Sequence, residues 1–514
     1  MSTEDTPLLS DEVSDNLNHT KSNDDTIATS PTSAAAFPEN TAFAKRLVRK
    51  IDLRLMPLMF ITFNFNYIDK SILSTAAVFG LVGDTHLVDG QFSSISSVFY
   101  FGYLLWEYPG VYLIQTLPVA KYIAADIVIW GIIVASTASC TSYQGLMVAR
   151  LFTGMVESSI SPAFLYVTSM WYTRDEMPSR MGLWYAGNSF GGAVASLLSF
   201  GIGQIHSSLK PWKLLYIIFG SATALWGFVV LIFLPDTISR AKFLTLEEKK
   251  CAEERVRVAG TGITMSIKNE WKGEQAIECL LDPKTWFCVF ISLFTMIPNG
   301  GTTSFANILI TSFGFTGLQS TLISLPSSLI SFLTIVTSGY LASRYRNTTT
   351  LLLSTLLLPP IIGASLMNWA ALNSLKLTGF YLIGFSHATI PLTMSLIGAN
   401  TRGTTKKMTM SACMFVAYCV GNMLGPHIFG GKERDMGFGR GFAVCLGCYF
   451  LSAAMGVGLR GYLKRINARR DRDEWGLEPE GAGEGAGEGE GTEGEMDMGV
   501  DLTDFQTRGF RYRL

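Results

Sequence analysis

The sequence predicts an all-α membrane protein of twelve transmembrane helices in two pseudo-symmetric bundles of six, and three observations predict it. The chain of 514 residues is 48% hydrophobic and only 16% charged, with mean hydropathy +0.30, whereas a soluble chain carries about a quarter charged residues. Twelve stretches have the length of roughly 20 mostly apolar residues that a helix needs to cross a bilayer. A polar segment divides them six and six.

The stretches run at about 55–79, 92–115, 121–140, 143–171, 181–204, 213–234, 285–312, 318–341, 348–370, 374–399, 407–430 and 441–463. The first fifty residues are polar, and the first apolar stretch is too long for the core of a cleavable leader, so span 1 is expected to stay in the protein. Lys and Arg set the orientation. With the N-terminus cytoplasmic, eighteen basic residues fall on the inner flanks, from Lys45 and Arg46 to Arg469 and Arg470, against six outside: Lys210, Lys213, Lys376, Lys432, Arg434 and Arg440. Both termini are therefore expected in the cytoplasm.

This reading divides the chain into five parts. They are a disordered cytoplasmic tail (1–50), a first six-helix bundle (51–235), a central cytoplasmic loop (236–284), a second bundle (285–463) and a cytoplasmic Gly/Glu-rich tail (464–514). The central loop carries nine basic and nine acidic residues, and Thr245 ahead of Glu247 and Glu248 caps an expected surface helix reaching about Val258. Residues 478–501 alternate Gly with nine acidic residues and no basic one, a composition that buries no core. Glu4 followed by Leu8 and Leu9 has the spacing of an acidic dileucine sorting signal.

The halves echo each other. Pro162 in span 4 lies twelve residues before Arg174, and Pro391 in span 10 lies eleven before Arg402. Polar groups precede both prolines: Glu157 in one half, Ser386 and His387 in the other. Such a repeat is expected where two bundles build one site near the bilayer midplane.

Ionisable side chains in mid-bilayer cost about 2.5–3.5 kcal/mol on insertion scales, so each marks a candidate site. Arg150 and Glu157 are two helical turns apart and share a face. A guanidinium there can hold a carboxylate in two-point fashion, and a desolvated carboxyl can carry a proton. The competing reading makes Arg150 a structural partner of Asp69 or Glu157. Asp69 and Lys70 are adjacent, point about 100° apart on a helix and so need separate neighbours. Asp69, Glu107 and Glu157 are the proton-coupling or gating candidates; Arg150, Asn66, Asn188, Asn299, Asn307 and His387 are the substrate-binding ones. His427 carries less weight. Gly187, Gly191, Gly192, Ala193 and Ala195 give span 5 a small-residue face for close helix packing. Pro298-Asn299-Gly300-Gly301 is expected to interrupt span 7.

Composition and motifs also exclude. Disorder throughout and nucleic-acid binding are incompatible with this apolar fraction and a net charge of −1. Walker, dinucleotide and paired-His metal motifs are absent, so no cofactor, metal, catalytic residue or ATP drive is expected. The eight cysteines lie mostly in apolar runs and read as packing residues.

These landmarks resemble the major facilitator superfamily and, within it, the fungal anion:cation symporter group that includes allantoate and nicotinate permeases. The likeness covers about residues 48–465. It rests on Lys50-Ile-Asp-Leu-Arg-Leu-Met-Pro57 with Asn66-Tyr-Ile-Asp-Lys70, Phe101-Gly-Tyr with Trp106-Glu107-Tyr-Pro109, Ala149-Arg150-Leu-Phe-Thr-Gly154 with Glu157 and Pro162, and Met170-Trp-Tyr172. Leu234-Pro-Asp-Thr237, Ala399-Asn-Thr401, Gly421-Asn422 and Gly425-Pro426 add to it. The resemblance implies the major facilitator fold, alternating access, proton coupling and a small organic anion. The sequence departs from the pattern at Lys70, where the group has arginine, at Ser158-Ser-Ile-Ser161, and at Gln115 to Lys121, which retains a single cation.

The expected protein is thus a monomeric transporter in the lipid bilayer of the plasma membrane, importing a ureide, carboxylate or vitamin with protons. Export of a secondary metabolite and a non-transporting nutrient receptor are the alternatives.

Overall fold

A computed structural model of the protein describes residues 42–88, 90–173, 176–258, 272–345, 347–430, 438–475, 503–507 and 510–514. Every one of the twelve apolar stretches is helical. In the first half these are α1 (Ala42–Ala76), α2 (Gln91–Thr116), α3 (Val119–Ser136), the pair α4 (Tyr143–Ser158) and α5 (Ile160–Trp171), α6 (Met177–Gly203) and α7 (Pro211–Phe233). After α8 (Leu246–Val258) and α9 (Gly273–Leu281) the second half holds α10 (Pro283–Ser312), α11 (Gly317–Ile323) with α12 (Leu325–Arg344), and α13 (Thr349–Thr355) with α14 (Leu358–Trp369). It closes with α15 (Asn373–Ile383), α16 (Thr389–Asn400), α17 (Thr404–Ile428) and α18 (Gly439–Trp475). α1 ends in a π-type turn in which Gly80 takes φ 104°, a conformation that costs glycine little.

Four spans are split, each just ahead of a proline. Proline lacks the N–H that would bond the carbonyl four residues back, so the preceding turn loosens. Span 4 breaks at Ser159 before Pro162, span 8 at Ser324 before Pro326, and span 9 at Leu356 and Leu357 before Pro359 and Pro360. Span 10 tightens into a 3₁₀ turn, Gly384–Ala388, before Pro391. The equivalent positions of spans 4 and 10 therefore deform alike.

The expected interruption at Pro298 is not found: α10 runs continuously through it. Its glycines serve packing. A Cβ on Gly300 would lie 2.7 Å from the Cα of Asn422, and one on Gly301 would lie 2.9 Å from the Gly425 carbonyl oxygen, so both let α17 pack backbone to backbone.

Among the described residues seven helical stretches are long and apolar enough to cross a membrane, and α9 with α10, bent by 68°, would make an eighth. Only 39% of the apolar window of α7 is buried, and Leu225, Phe228 and Leu231 face outward. In water such an apolar surface would be a liability; in lipid it is the solvated face.

The packing shows the pseudo-symmetry. In the first half α1 packs on α6, α2 on α4 and α3 on α7. In the second half α10 packs on α17, α12 on the span formed by α15, the 3₁₀ turn and α16, and α14 on α18. Spans 1–5, 2–4 and 3–6 thus recur as 7–11, 8–10 and 9–12. Between the bundles, α6 meets α12 and α2 meets α17, which are equivalent contacts, while α1 meets α10.

The face where α1 starts and α18 ends is here termed the terminal face, and its opposite the distal face. Among the described residues the hydrogen bonds seen to cross between the bundles lie in the distal half. Ser93 and Ser97 donate to the carbonyls of Pro426 and Met423 at 2.9 and 2.6 Å. The Asn307 amide and backbone N–H donate to Thr75 and Ser74 at 2.8 and 3.0 Å, and the hydroxyls of Ser196 and Ser324 meet at 2.9 Å.

The small-residue face of α6 does what its composition suggests. A Cβ on Gly187 would meet the Phe60 carbonyl at 2.6 Å, and one on Gly191 the Asn64 carbonyl at 2.6 Å. At the terminal face α8 opens with the expected capping box: the Glu248 N–H donates to Thr245 at 3.3 Å, and the Thr245 N–H to Glu248 at 2.8 Å. Lys50 and Glu176 then tie α8 to the first bundle through Glu248 and Arg255, both at 2.7 Å. The expected disorder of residues 1–41 and 478–501, and the dileucine pattern, lie outside the described residues, whereas residues 42–50, assigned to the disordered tail, are helical and begin α1. α18 continues to Trp475, past the expected start of the tail at 464.

Candidate functional site

α1 carries Asp69 and Lys70 into the core of the first bundle, and each finds its own partner on α4. Arg150 Nη1 lies 3.7 Å from Asp69 Oδ2, and its Nη2 donates to the Tyr216 hydroxyl of α7 at 3.0 Å. The Lys70 ammonium lies 2.7 Å from Glu157 Oε1 and donates to Asn66 Oδ1 at 2.8 Å. The hundred-degree offset between neighbouring helical residues produces this division. The two cations and two anions of these pairs balance each other, which makes their burial tolerable.

The four side chains are not equally enclosed. Glu157 is 0% exposed and Asp69 and Arg150 5% each, but Lys70 is 15% exposed. Its ammonium sits 5.9 and 6.0 Å from the ring centroids of Phe99 and Tyr103 on α2. Those aromatics belong to the seam between the bundles: Tyr103 packs on Phe415 and Tyr100 on Tyr418, both from α17. Glycines set this geometry. A Cβ on Gly154 would collide with the Phe99 carbonyl oxygen, and one on Gly102 with that of Leu151, so α2 and α4 touch along their backbones and hold the rings over Lys70.

Beside this cluster, a cavity of about 70 Å³ opens between the bundles in the distal half. It has room for about two waters at roughly 30 Å³ each. Tyr67 and Ser71, which flank the charged pair on α1, line it together with Ser196, Thr302, Asn307, Ser324, Ser328 and His387. Its lining is rich in hydroxyls and holds no acidic or basic side chain other than His387.

The structure therefore sorts the candidates. Asp69, Lys70, Arg150, Glu157 and Asn66 come together in the first bundle, while Asn307 and His387 come together at the cavity. His387 is held through Nδ1 by Ser331 at 3.2 Å and by the Gly384 carbonyl at 3.1 Å. Asn299 donates to Asn422 within the second bundle at 3.0 Å. Asn188 is partly buried, and its Oδ1 has no hydrogen-bond partner among the described residues. Glu107 lies near Cys419 of α17 and makes no ion pair among the described residues. His427 is exposed.

Sequence reading misses two members. Asp126 of α3 is 7% exposed and lies near Glu157; the rule that singles out Asp69 applies equally to it. Tyr216 carries no such signal, because its role is fixed only by the packing of α7. The eight cysteines are free, as packing residues would be.

Two matching helical bundles that enclose paired charges and share a polar cavity at their seam define a membrane transporter. Residues 59–426 match the Major Facilitator Superfamily, and the chain belongs to that family. An uncharacterized transporter of Schizosaccharomyces pombe is 34% identical, covering 91% of this chain and 87% of its own. The allantoate permease of Saccharomyces cerevisiae is 32% identical over 91% of this chain and 86% of its own, and a thiamine pathway transporter of the same yeast 28% over 93% and 88%. The fold matches the crystal structure of a D-xylose–proton symporter with TM-score 0.57 at 13% identity, covering 81% of this chain and 97% of that one. It also matches a bacterial homolog of the human lysosomal transporter Spinster with TM-score 0.57 at 14% identity, over 79% and 96%. The chain is thus a multi-pass membrane protein and a secondary transporter, not an enzyme, with fungal allantoate permease-like relatives.

Proposed function

We propose that this protein is a proton-coupled symporter of a small organic anion, a ureide, carboxylate or vitamin, and that the Lys70–Glu157 pair couples the two. The observation that carries the reading is the 2.7 Å contact between an enclosed carboxylate and the one member of the cluster that reaches toward the seam. Protonating Glu157 would cancel its charge and leave the Lys70 ammonium without its anion in a low-dielectric site. A buried cation without a partner is strongly disfavoured, so the site then attracts an anionic substrate. Loss of the proton returns Lys70 to Glu157 and expels that substrate.

On this reading Lys70, rather than Arg150, receives the substrate carboxylate. Arg150 is engaged by Asp69 and Tyr216 and holds α1, α4 and α7 in register. At about 70 Å³ the hydroxyl-lined cavity holds only water in this arrangement; it accepts the uncharged body of the substrate once the bundles move apart, with Asn307 and His387 among its walls. On this reading the terminal face, which carries most of the basic flanks, is cytoplasmic, and the hydrogen bonds between the bundles close the half away from it. We further propose a monomer in the plasma membrane.

The test is uptake of allantoate and a panel of ureides and carboxylates into proteoliposomes. An imposed inward proton gradient should accelerate accumulation of the substrate. Accumulation indifferent to the gradient would refute the coupling.

A further inference from the structure

The last residues of the chain return to the terminal face of the second bundle. Asp504, 0% exposed, lies between Lys284 at the foot of α10 and Lys406 at the foot of α17, at 2.7 and 2.9 Å. The Tyr512 hydroxyl donates to the same carboxylate at 2.6 Å. Thr503 donates to Glu278 of α9 at 3.0 Å, whose other oxygen binds Lys406 at 2.8 Å. Lys406 also stands 3.8 Å from the centroid of the Phe505 ring. The same two lysines also reach Asp282, just ahead of α10, at 3.3 and 3.1 Å, so Asp504 completes a buried charge cluster, a recognition geometry rather than a chance surface contact.

The main chain is read as well. Asn400, at the end of α16, donates to the Arg513 carbonyl at 2.8 Å and accepts from its N–H at 2.7 Å. Asn467 of α18 does the same with Tyr512, at 2.8 and 3.0 Å. Arg470 donates to the carbonyls of Phe510 and Asp504 at 2.7 and 2.9 Å. The Thr349 N–H at the start of α13 donates to the Leu514 carbonyl at 3.0 Å. Side-chain amides that pair with a peptide's backbone while pockets hold its acid and its tyrosine form a peptide-binding site.

We propose that the segment carrying residues 503–507 and 510–514 is a detachable latch, a stretch of the chain itself bound as a peptide in a site built by the feet of α10, α16, α17 and α18. The groups that bind it are mostly charged or polar, and water can satisfy them when it leaves, so docking is reversible. The site joins α10 and α17, which meet α1 and α2 of the other bundle. Docked, the latch makes the second bundle move as one body during the transport cycle. This rests on the transporter fold alone and not on the proton-coupling reading.

The experiment uses the full chain with a protease site placed within 478–501, so that folding occurs with the segment attached. After cleavage the C-terminal fragment should co-elute with the transporter at low salt and leave at high salt. In Asp504→Asn it should bind at least about thirtyfold more weakly. The stripped transporter should take up substrate more slowly, and a synthetic peptide of residues 501–514 should restore the rate where the Asp504→Asn peptide does not. The proposal is overturned if the wild-type fragment leaves at once at low salt, or if it resists both high salt and competing peptide. Equal retention of both fragments, or unchanged uptake after stripping, also overturns it. Failure of the pH-gradient experiment would leave each of these outcomes intact.

Discussion

Lys70 and Glu157 meet at 2.7 Å between α1 and α4, while their neighbours Asp69 and Arg150 meet at 3.7 Å on the same pair of helices. The two contacts divide the labour, and substitutions should separate them. Glu157→Gln is expected to abolish acceleration by a proton gradient while keeping substrate exchange under counterflow. Lys70→Gln is expected to lose both. Counterflow in Lys70→Gln at the wild-type rate would remove Lys70 from substrate binding.

Arg150 should behave as a structural residue. Removing one partner of a buried ion pair costs about 3–5 kcal/mol, so Arg150→Ala is expected to fall in folded yield and thermal stability. Tyr216→Phe deletes one hydroxyl contact to a charged group and should cost about 1.5–3 kcal/mol. Joint replacement of Asp69 and Arg150 by Leu and Met should recover much of the loss, because no charge is then buried alone. Thermal unfolding in detergent, followed by fluorescence-detected size exclusion, measures all three.

The spans were legible because a bilayer imposes one length and one polarity on every crossing. The charged cluster was legible for the same reason, since Asp69, Arg150 and Glu157 stand out against apolar neighbours. Who pairs with whom was not, apart from the need of Asp69 and Lys70 for separate partners. Pairing depends on helix rotation, which Gly154 and Gly102 set through backbone contacts that no periodicity encodes. The interruption expected at Pro298 failed because Gly300 and Gly301 read equally well as a break or as a packing face, and only the presence of Asn422 and Gly425 opposite decides. Asn307 and His387 of the cavity lining were among the candidates, but its hydroxyls were missed because serine and threonine in a membrane helix usually bond their own backbone, as Ser71 and Thr302 also do here.

Close packing predicts a contrast between glycines. Gly154→Ala would drive a methyl into the Phe99 carbonyl, which can move only if α2 moves. Overpacking of this kind costs about 1–3 kcal/mol or more, and displaced aromatic rings over Lys70 should depress transport as well. Gly182→Ala meets nothing within 4 Å and should leave folding yield and uptake as they are. Equal loss in both variants would show that the α2–α4 approach is not the controlling contact.

The distal hydrogen bonds predict a shift in conformational balance. Asn307→Ala removes the amide that reaches Thr75 at 2.8 Å. A net loss of about 1 kcal/mol changes the ratio of two states by about fivefold. A cysteine placed at Thr303, beside the cavity, should then react several-fold faster with a membrane-impermeant thiol reagent added from the distal face. An unchanged rate would mean that Asn307 does not hold this half closed.

The latch should have a distinctive acid dependence. Burial works to raise the Asp504 carboxyl, but Lys284, Tyr512 and Lys406 outweigh it and hold the group below the ordinary carboxylate value. A carboxyl whose pKa is lower when docked than when free contributes its full stabilisation above the free value of about 3.9 and loses it as pH falls through the lower docked value. Retention of the cleaved fragment should therefore be level from about pH 7 to about pH 5 and fall away below about pH 4. Asp504→Asn should bind weakly at every pH and show no such fall. If wild-type retention instead faded between about pH 7 and pH 6, where a histidine titrates, a group other than Asp504 would control docking.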